Sequence, residues 1–157
     1  MTTPAMDDAA RLGAIESIRN AKAQYFRGVD TRNTALVQAV LADDCVLDFR
    51  GSFTDPQSAN DFLPAMNVVV RGAATWSSEG FASMGIVSVH HGHHCEITIT
   101  SDTSASGIWS MTDRLFFTDT HTALTGYGYY YETYTKEADG AWKIKTLRLE
   151  RLRVEER

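Results

Sequence analysis

The sequence predicts one α+β domain spanning residues 1–157, in which about three N-terminal helices pack on one face of a curved antiparallel sheet. The first observation is a change of hydrophobic period, because helical spacing before residue 86 gives way to strand-like alternation after it. The second is that no repeat, low-complexity tract or Pro/Gly-rich linker divides the 157 residues. Helices and sheet arranged in this way can form a cone that encloses a pocket.

Helical spacing occupies the first half of the chain. Between residues 7 and 30 apolar side chains recur three and four positions apart, which predicts a long first helix that ends near "GVDTRN" and follows a flexible tail over residues 1–8. "NTALVQAVLADD" predicts a short second helix, and the alternating "CVLDF" predicts a strand that runs into a loop at "RGSFTDP". "SANDFLPAMNVVV" is a candidate third helix that starts near Leu63 or is interrupted at Pro64.

Alternation dominates from about Ile86 onward. It runs through "IVSVHH", "CEITITSD", "SASGIWSMTDRLFFTD", "HTALTGYGYYYETYTKE" and "AWKIKTLRLERLRV", which predicts four or five long strands. Asp139-Gly140 is a strong hairpin signal between the last two of these runs.

Composition excludes several classes of partner. The formal net charge of −5 leaves no basic surface to neutralise phosphates, so nucleic acid is not an expected partner. No stretch approaches the roughly 20 apolar residues of a membrane span, and the acidic N-terminus lacks an apolar signal core. These features predict a cytoplasmic protein without membrane association, whose Cys45 and Cys95 are buried thiols rather than a disulfide.

Four of the five histidines lie in "SVHHGHHCEITI", residues 88–99. Strand alternation would point His90 and His94 to one face and His91 and His93 to the other, provided that Gly92 introduces no bulge. Two histidines on one face could ligate a metal, but zinc needs further ligands that share the face. Because neither His-Glu-x-x-His nor Cys-x-x-Cys spacing occurs, the sequence predicts no metal site.

Two aspartates are candidate partners for a histidine. Alternation in "GIWSMTDRLFF" places Asp113 on the same, more apolar face as Trp109, where a carboxylate needs a hydrogen-bond partner in a pocket or in a structural ion pair. Asp30 ends the first helix close to the face of Tyr25, and a protonated histidine could offset the poor placement of an anion at a helix C-terminus. The alternative for Asp30 is a solvated turn carboxylate.

Two further patterns argue against other enzyme classes. "GYGYYYETY", which contains Tyr129, lacks the third glycine of a dinucleotide-binding loop and lies in a strand pattern. Its tyrosines are expected to line a pocket or an interface, or to form an aromatic core stripe. No Gly-x-Ser-x-Gly elbow is present, which disfavours a serine hydrolase.

With these residues placed, the chain resembles the nuclear transport factor 2-like superfamily nearly end to end. The similarity is carried by "YFRGVDTRN", "SVHHGHHCEI", "GIWSMTD", "GYGYYYETYTKEADGAWKI" and "LRLERLRV". Within the superfamily these segments resemble the SnoaL-like branch, which holds scytalone dehydratase, bile acid 7α-dehydratase and hexachlorocyclohexane dehydrochlorinase.

The resemblance implies a set of site residues. A histidine entering the sheet and an aspartate closing the first helix form a dyad in that branch, and they correspond to His90 and Asp30. The tyrosine or lysine five residues before the aspartate corresponds to Tyr25. Asp113 corresponds to an inward carboxylate, and Arg153 is the nearest match to a C-terminal arginine, with Arg148 and Arg151 close by. Trp109 and Tyr129, which come from the strand and aromatic patterns and not from the resemblance, complete the expected substrate contacts.

The resemblance also implies a reaction. It favours a cofactor-free elimination, the dehydration of a small hydrophobic cyclic or hydroxy-carbonyl compound, with His90 as general base oriented by Asp30. An isomerase or polyketide cyclase that uses the same pocket, or a non-catalytic binding module, remains open. A homo-oligomer is expected because an open sheet with aromatic residues on both faces needs further cover, and the resemblance favours a trimer over a dimer.

Overall fold

A computed structural model describes residues 6–157. The first helix, α1, spans Asp8–Asp30, and the Asp7 side chain caps it by accepting a hydrogen bond from the backbone N–H of Ala10 at 2.7 Å. A flexible tail was expected over residues 1–8, and the first five of these residues lie outside the described part of the chain. Asp7 and Asp8, however, already belong to the start of the helix.

The region between α1 and the long strands departs from the predictions. The second helix, α2, is confined to Thr34–Ala39, and the first strand, β1, begins directly after it at Leu41–Asp48. The predicted third helix is wrong, because its residues form a 3₁₀ turn at Pro64–Met66 and a short strand, β2, at Val69–Arg71. Proline at the start and a run of β-branched valines disfavour a helix there. The third α-helix, α3, is Glu79–Ser83.

Four long strands complete the sheet: β3 at Ile86–Ser101, β4 at Ser104–Phe117, β5 at Thr122–Lys136 and β6 at Trp142–Glu156. The strand order is β2-β1-β6-β5-β4-β3, so the sheet is open, with β2 and β3 at its edges. All neighbouring strands are antiparallel except β1 and β6, which run parallel with Leu47 opposite Leu147. The wholly antiparallel sheet expected from the sequence is therefore corrected to a mixed one.

The core lies between the helices and the concave side of the sheet. In β4 the odd-numbered residues from 105 to 115 are buried, as alternation predicted, whereas in β5 the even-numbered residues from 124 to 134 are buried. α1 contributes Ile18, Phe26 and Val29 to the main cluster. This arrangement of three helices on a curved sheet confirms the predicted α+β cone.

Both cysteines are free thiols; Cys45 is buried as predicted, whereas Cys95 is partly exposed, which corrects the expectation that it is buried. Burial raises the pKa of the Cys45 thiol above its ordinary value. Within residues 6–157, no helix combines the length and the apolar character needed to cross a membrane.

Candidate functional site

A cavity of about 280 Å³ lies between α1, the segment from residue 49 to residue 84 and the sheet. Its wall is mainly apolar, with the aromatic rings of Phe49, Phe53, Trp76 and Phe81 among its lining groups. The ionisable side chains that reach it are Tyr25, His90, Asp113 and Arg151. An apolar chamber with a few convergent polar groups is the usual form of a small-molecule site.

Asp30 and His90 are in direct contact. The Asp30 carboxylate closes α1 beside β3, where its Oδ1 lies 2.6 Å from His90 Nδ1. Oδ1 also accepts a hydrogen bond from Ser88 Oγ, and Oδ2 accepts one from the backbone N–H of His90, both at 2.9 Å. Because a carboxylate only accepts hydrogen bonds, Nδ1 carries the proton in this contact. The arrangement therefore leaves Nε2 of a neutral His90 with a free lone pair.

The second ring nitrogen of His90 faces a buried ion pair. His90 is directly opposite Asp113 in the β3 and β4 pairing, and Nε2 lies 3.9 Å from Asp113 Oδ2. Arg151 contacts both oxygens of Asp113, through Nη2 and, at 3.3 Å, through Nε. Its Nη1 donates to the Ser52 carbonyl at 2.7 Å. Asp113 is thus both a cavity group and a member of a structural ion pair, the two alternatives that the sequence left open.

Tyr25 lies on the cavity side of α1 and is 3% exposed. Burial, with smaller contributions from the negative charges of Glu132 and Asp30, raises the pKa of its hydroxyl well above the ordinary value. Tyr25 is therefore a hydrogen-bond donor throughout the physiological pH range.

A β-bulge separates His90 and His91 from His93 and His94. The β3 and β4 pairing shifts between Gly92 and Cys95, so strict alternation does not continue through this stretch. His91, His93 and His94 are exposed, whereas the His90 side chain is 7% exposed. In the part of the chain that the structure describes, no three His, Cys, Asp or Glu side chains are arranged to hold a metal ion.

The C-terminal arginine in the cavity is Arg151, which corrects the expectation for Arg153. The Arg153 side chain is 45% exposed and hydrogen-bonds Gln57 at 2.8 Å. A register shift in the β5 and β6 pairing, next to Gly128, places Arg151 on the concave face and Val154 in the core, with Leu152 exposed between them. Alternation alone would have turned Arg151 and Arg153 to the same face.

Trp109 and Tyr129 also lie away from the cavity. Trp109 faces inward as predicted, but its indole N–H donates to the Tyr134 hydroxyl at 2.8 Å, and its ring lines a separate cleft between α1 and β3. Tyr129 is on the outer face of the sheet, 6.4 Å from the Tyr131 ring, because β5 buries its even-numbered residues. The apolar lining comes instead from residues 49–84, a segment whose sequence has no clear periodicity.

The comparisons with known proteins agree with this architecture. The SnoaL-like domain family matches residues 10–148. A scytalone dehydratase-like protein of Novosphingobium aromaticivorans is 19% identical with a TM-score of 0.77, over 95% of this chain and 91% of that one. The type 3 hexachlorocyclohexane dehydrochlorinase of Novosphingobium barchaimii is 15% identical with a TM-score of 0.76, over 96% and 94%. At identities this low, the structural similarity shows a shared fold and no more. The family match shows that the chain belongs to the SnoaL-like domain family of the nuclear transport factor 2-like superfamily.

Proposed function

We propose that the protein is a dehydratase-like lyase that removes water from a small hydrophobic hydroxy-carbonyl compound with its own side chains as the catalytic groups. The observation that carries the proposal is the His90 imidazole, whose Nδ1 contacts Asp30 at 2.6 Å while the ring lines an apolar cavity. Among the relatives of similar fold, the names dehydratase and dehydrochlorinase both denote eliminations.

His90 is the general base of the proposed reaction. Nε2 takes a proton from the carbon next to a carbonyl group, and the electrons of that C–H bond form the new double bond. The imidazolium that results is stabilised by the adjacent Asp30 carboxylate, which also fixes the reactive tautomer. Three hydrogen bonds hold that carboxylate in place, from Ser88 Oγ, the His90 backbone and His90 Nδ1.

Tyr25 and Arg151 are the groups that can stabilise the negative charge that develops on the substrate oxygen atoms. Tyr25 donates a hydrogen bond to the enolate oxygen or to the departing hydroxyl group, since its raised pKa keeps it protonated. The C–O bond breaks as the double bond forms, and the leaving hydroxyl group takes up from Nε2 the proton that His90 removed from carbon, so that it departs as water and His90 returns to its neutral form. Arg151 contributes positive charge to the same wall, partly offset by Asp113.

The cavity favours a compact, largely apolar substrate. Aromatic rings from the 49–84 segment can contact the flat face of a cyclic compound, while the ionisable groups contact its oxygen atoms. A small cyclic hydroxy-ketone matches both requirements.

A screen of cyclic hydroxy-ketones, phenolic compounds and steroid-like compounds tests the proposal, with mass spectrometry of each product. Loss of water, abolished by His90→Gln but retained by the exposed control His94→Gln, is the expected result. A product of unchanged mass would instead identify an isomerase or cyclase. Saturable binding without any product, unaffected by His90→Gln, would identify a binding module and refute the lyase.

A further inference from the structure

A fully buried ion pair lies next to the aromatic rings of Tyr25 and Phe26, on the inner side of the proposed site. Lys22 of α1 and Glu132 of β5 are both 0% exposed, and their charged groups are in contact. The other oxygen of Glu132 accepts a hydrogen bond from the Tyr134 hydroxyl group. That hydroxyl group in turn accepts a hydrogen bond from the indole N–H of Trp109. Burial lowers the pKa of Lys22, and Glu132 opposes that effect. None of these four side chains has a role in the proposed elimination.

The Lys22 ammonium group is surrounded by aromatic rings. Its Nζ lies 3.5 Å from the ring centroid of Tyr130, 4.5 Å from that of Phe26 and 4.7 Å from that of Tyr25. A cation is attracted to the face of an aromatic ring, and this attraction is strongest where water is absent. The buried charge therefore acts on the Tyr25 ring of the cavity and on its neighbour Phe26.

Phe26 connects Lys22 to the catalytic histidine. Its ring is stacked on the His90 imidazole, with centroids 5.6 Å apart and planes inclined by 14°. Phe26 also lines the cleft between α1 and β3, although only 8% of the residue is exposed. Its ring packs against the ring of Tyr130 as well, with centroids 5.6 Å apart, and lies under the Lys22 ammonium group, so contact with His90 is not the only contact that orients Phe26.

We propose that Lys22 is a positioning residue, which together with Glu132 holds the Phe26 ring flat against His90 and so keeps Nδ1 directed at Asp30. The proposal deepens the proposed function, since it explains how the base is oriented. The charged groups that face His90 directly are Asp30 from α1 and Asp113 from β4, the latter paired with Arg151 of β6. Lys22 acts on the imidazole only through the ring.

The test measures the tautomer of His90 without any substrate. Long-range ¹H–¹⁵N correlation spectra distinguish Nδ1-protonated from Nε2-protonated imidazole, and the signals missing from His90→Gln assign the residue. Lys22→Met removes the charge at similar side-chain length. Lys22→Met/Glu132→Gln removes both charges and avoids an unpaired buried carboxylate. Lys145→Met, which breaks a surface ion pair with Asp44, is the matched control.

We expect the ratio of the Nδ1-protonated to the Nε2-protonated tautomer to fall roughly tenfold in both Lys22 variants, the scale of a desolvated cation–π contact. Phe26→Leu should cause the same fall with the ion pair intact, whereas Lys145→Met should cause none. If the double variant recovers the melting temperature and also the wild-type tautomer ratio, the ion pair is merely structural and the proposal is overturned. A wild-type ratio in Phe26→Leu overturns it as well, even if neither Lys22 variant folds.

This readout separates the inference from the proposed function. A protein that dehydrates no compound, but whose His90 tautomer depends on Lys22, would refute the lyase and leave the positioning role intact. An active enzyme whose tautomer ratio is insensitive to Lys22 and Phe26 would refute the positioning role alone. With a substrate in hand, kcat should fall in the Lys22 variants more than KM rises.

Discussion

Asp30→Asn is the substitution that best separates an enzyme from a scaffold. Asp30 accepts the backbone N–H of His90 on one oxygen and His90 Nδ1 on the other. An asparagine has one accepting oxygen and one donating nitrogen, so its nitrogen must face one of these two groups. The backbone N–H cannot become an acceptor, but the imidazole can. The amide nitrogen should therefore face Nδ1 and drive His90 to the tautomer with its proton on Nε2.

The expected loss of activity follows from this exchange. With a proton on Nε2 the ring has no lone pair toward the substrate, and the charge that stabilises the imidazolium is gone as well. General-base catalysis contributes roughly 10²-fold to 10⁴-fold, and we expect kcat to fall by at least about 10²-fold.

The expected cost in stability is small by comparison. All three hydrogen bonds to the Asp30 carboxylate become hydrogen bonds to a neutral amide, at a combined cost of about 2 kcal/mol. Removal of an anion from the C-terminal end of α1 offsets part of this cost, by up to about 1 kcal/mol. For a chain of 157 residues the melting temperature should fall by about 2–8 °C.

The assay combines turnover, calorimetry and the ¹⁵N tautomer measurement on the same samples. Asp102→Asn, in the exposed turn between β3 and β4, is the control for removal of one aspartate charge. Near-normal turnover of Asp30→Asn would refute the reasoning. It would also be refuted if the melting temperature collapsed while activity per folded molecule stayed unchanged.

Three other predictions concern the same framework. Arg151→Lys should lower the free energy of unfolding in urea by about 2 kcal/mol, because lysine cannot contact both Asp113 oxygens and the Ser52 carbonyl, whereas the exposed Arg153→Lys should change it by less than about 0.5 kcal/mol. Hydrogen bonds from Ser58 lower the pKa of Asp55 in the folded protein below its value of about 3.9 in the unfolded chain. The ionised carboxylate therefore stabilises the fold fully at a pH above the unfolded-state pKa. This contribution is lost as the pH falls through the lower pKa of the folded state. The melting-temperature deficit of Asp55→Asn should accordingly be constant from pH 5 to 8, by the same linkage, and shrink below about pH 4. The outer sheet face, which exposes Val87, Phe116, Tyr131 and Leu152, should be covered in a homo-oligomer, for which the family resemblance favours a trimer over a dimer, and a monomer by light scattering at micromolar concentration would contradict this.

The elements that sequence predicted well are those with a long, uninterrupted period. Hydrophobic spacing over residues 7–30 predicted α1 almost to its ends, because one helical face must be buried along its whole length. Alternation in β4 likewise placed Asp113 on the concave face. The parallel pairing of β1 with β6 could not be predicted in this way, since it depends on contacts about 100 residues apart in sequence that leave no local pattern.

The site itself was predictable only in part, and for a related reason. Asp30 and His90 could be singled out because the resemblance to the SnoaL-like branch implies a dyad of an aspartate that closes the first helix and a histidine that enters the sheet. The pattern of the residues alone left Asp30 equally open to a solvated turn, since the contact depends on the angle between α1 and β3. Arg151 could not be distinguished from Arg153, because the register shift in β6 inserts a residue that reverses the face. The aromatic lining from residues 49–84 was missed, since loops and short turns carry no period to interpret.

Gly92 shows how a bulge can matter to a site that it does not line. A Cβ atom at this position would lie 2.6 Å from Phe26 Cε2, closer than carbon atoms can approach, so Gly92→Ala must displace the ring that stacks on His90. The backbone of Gly92 is not in the left-handed region, so the substitution strains the contact rather than the chain. We expect roughly tenfold lower activity and a lower fraction of Nδ1-protonated His90. The estimate takes the energy of the cation–π contact between Lys22 and the Phe26 ring as the energy that holds the ring in place. Gly13→Ala, where a Cβ would have nothing within 4 Å, is the matched control, and equal tautomer ratios in both variants would show that Phe26 does not orient the base.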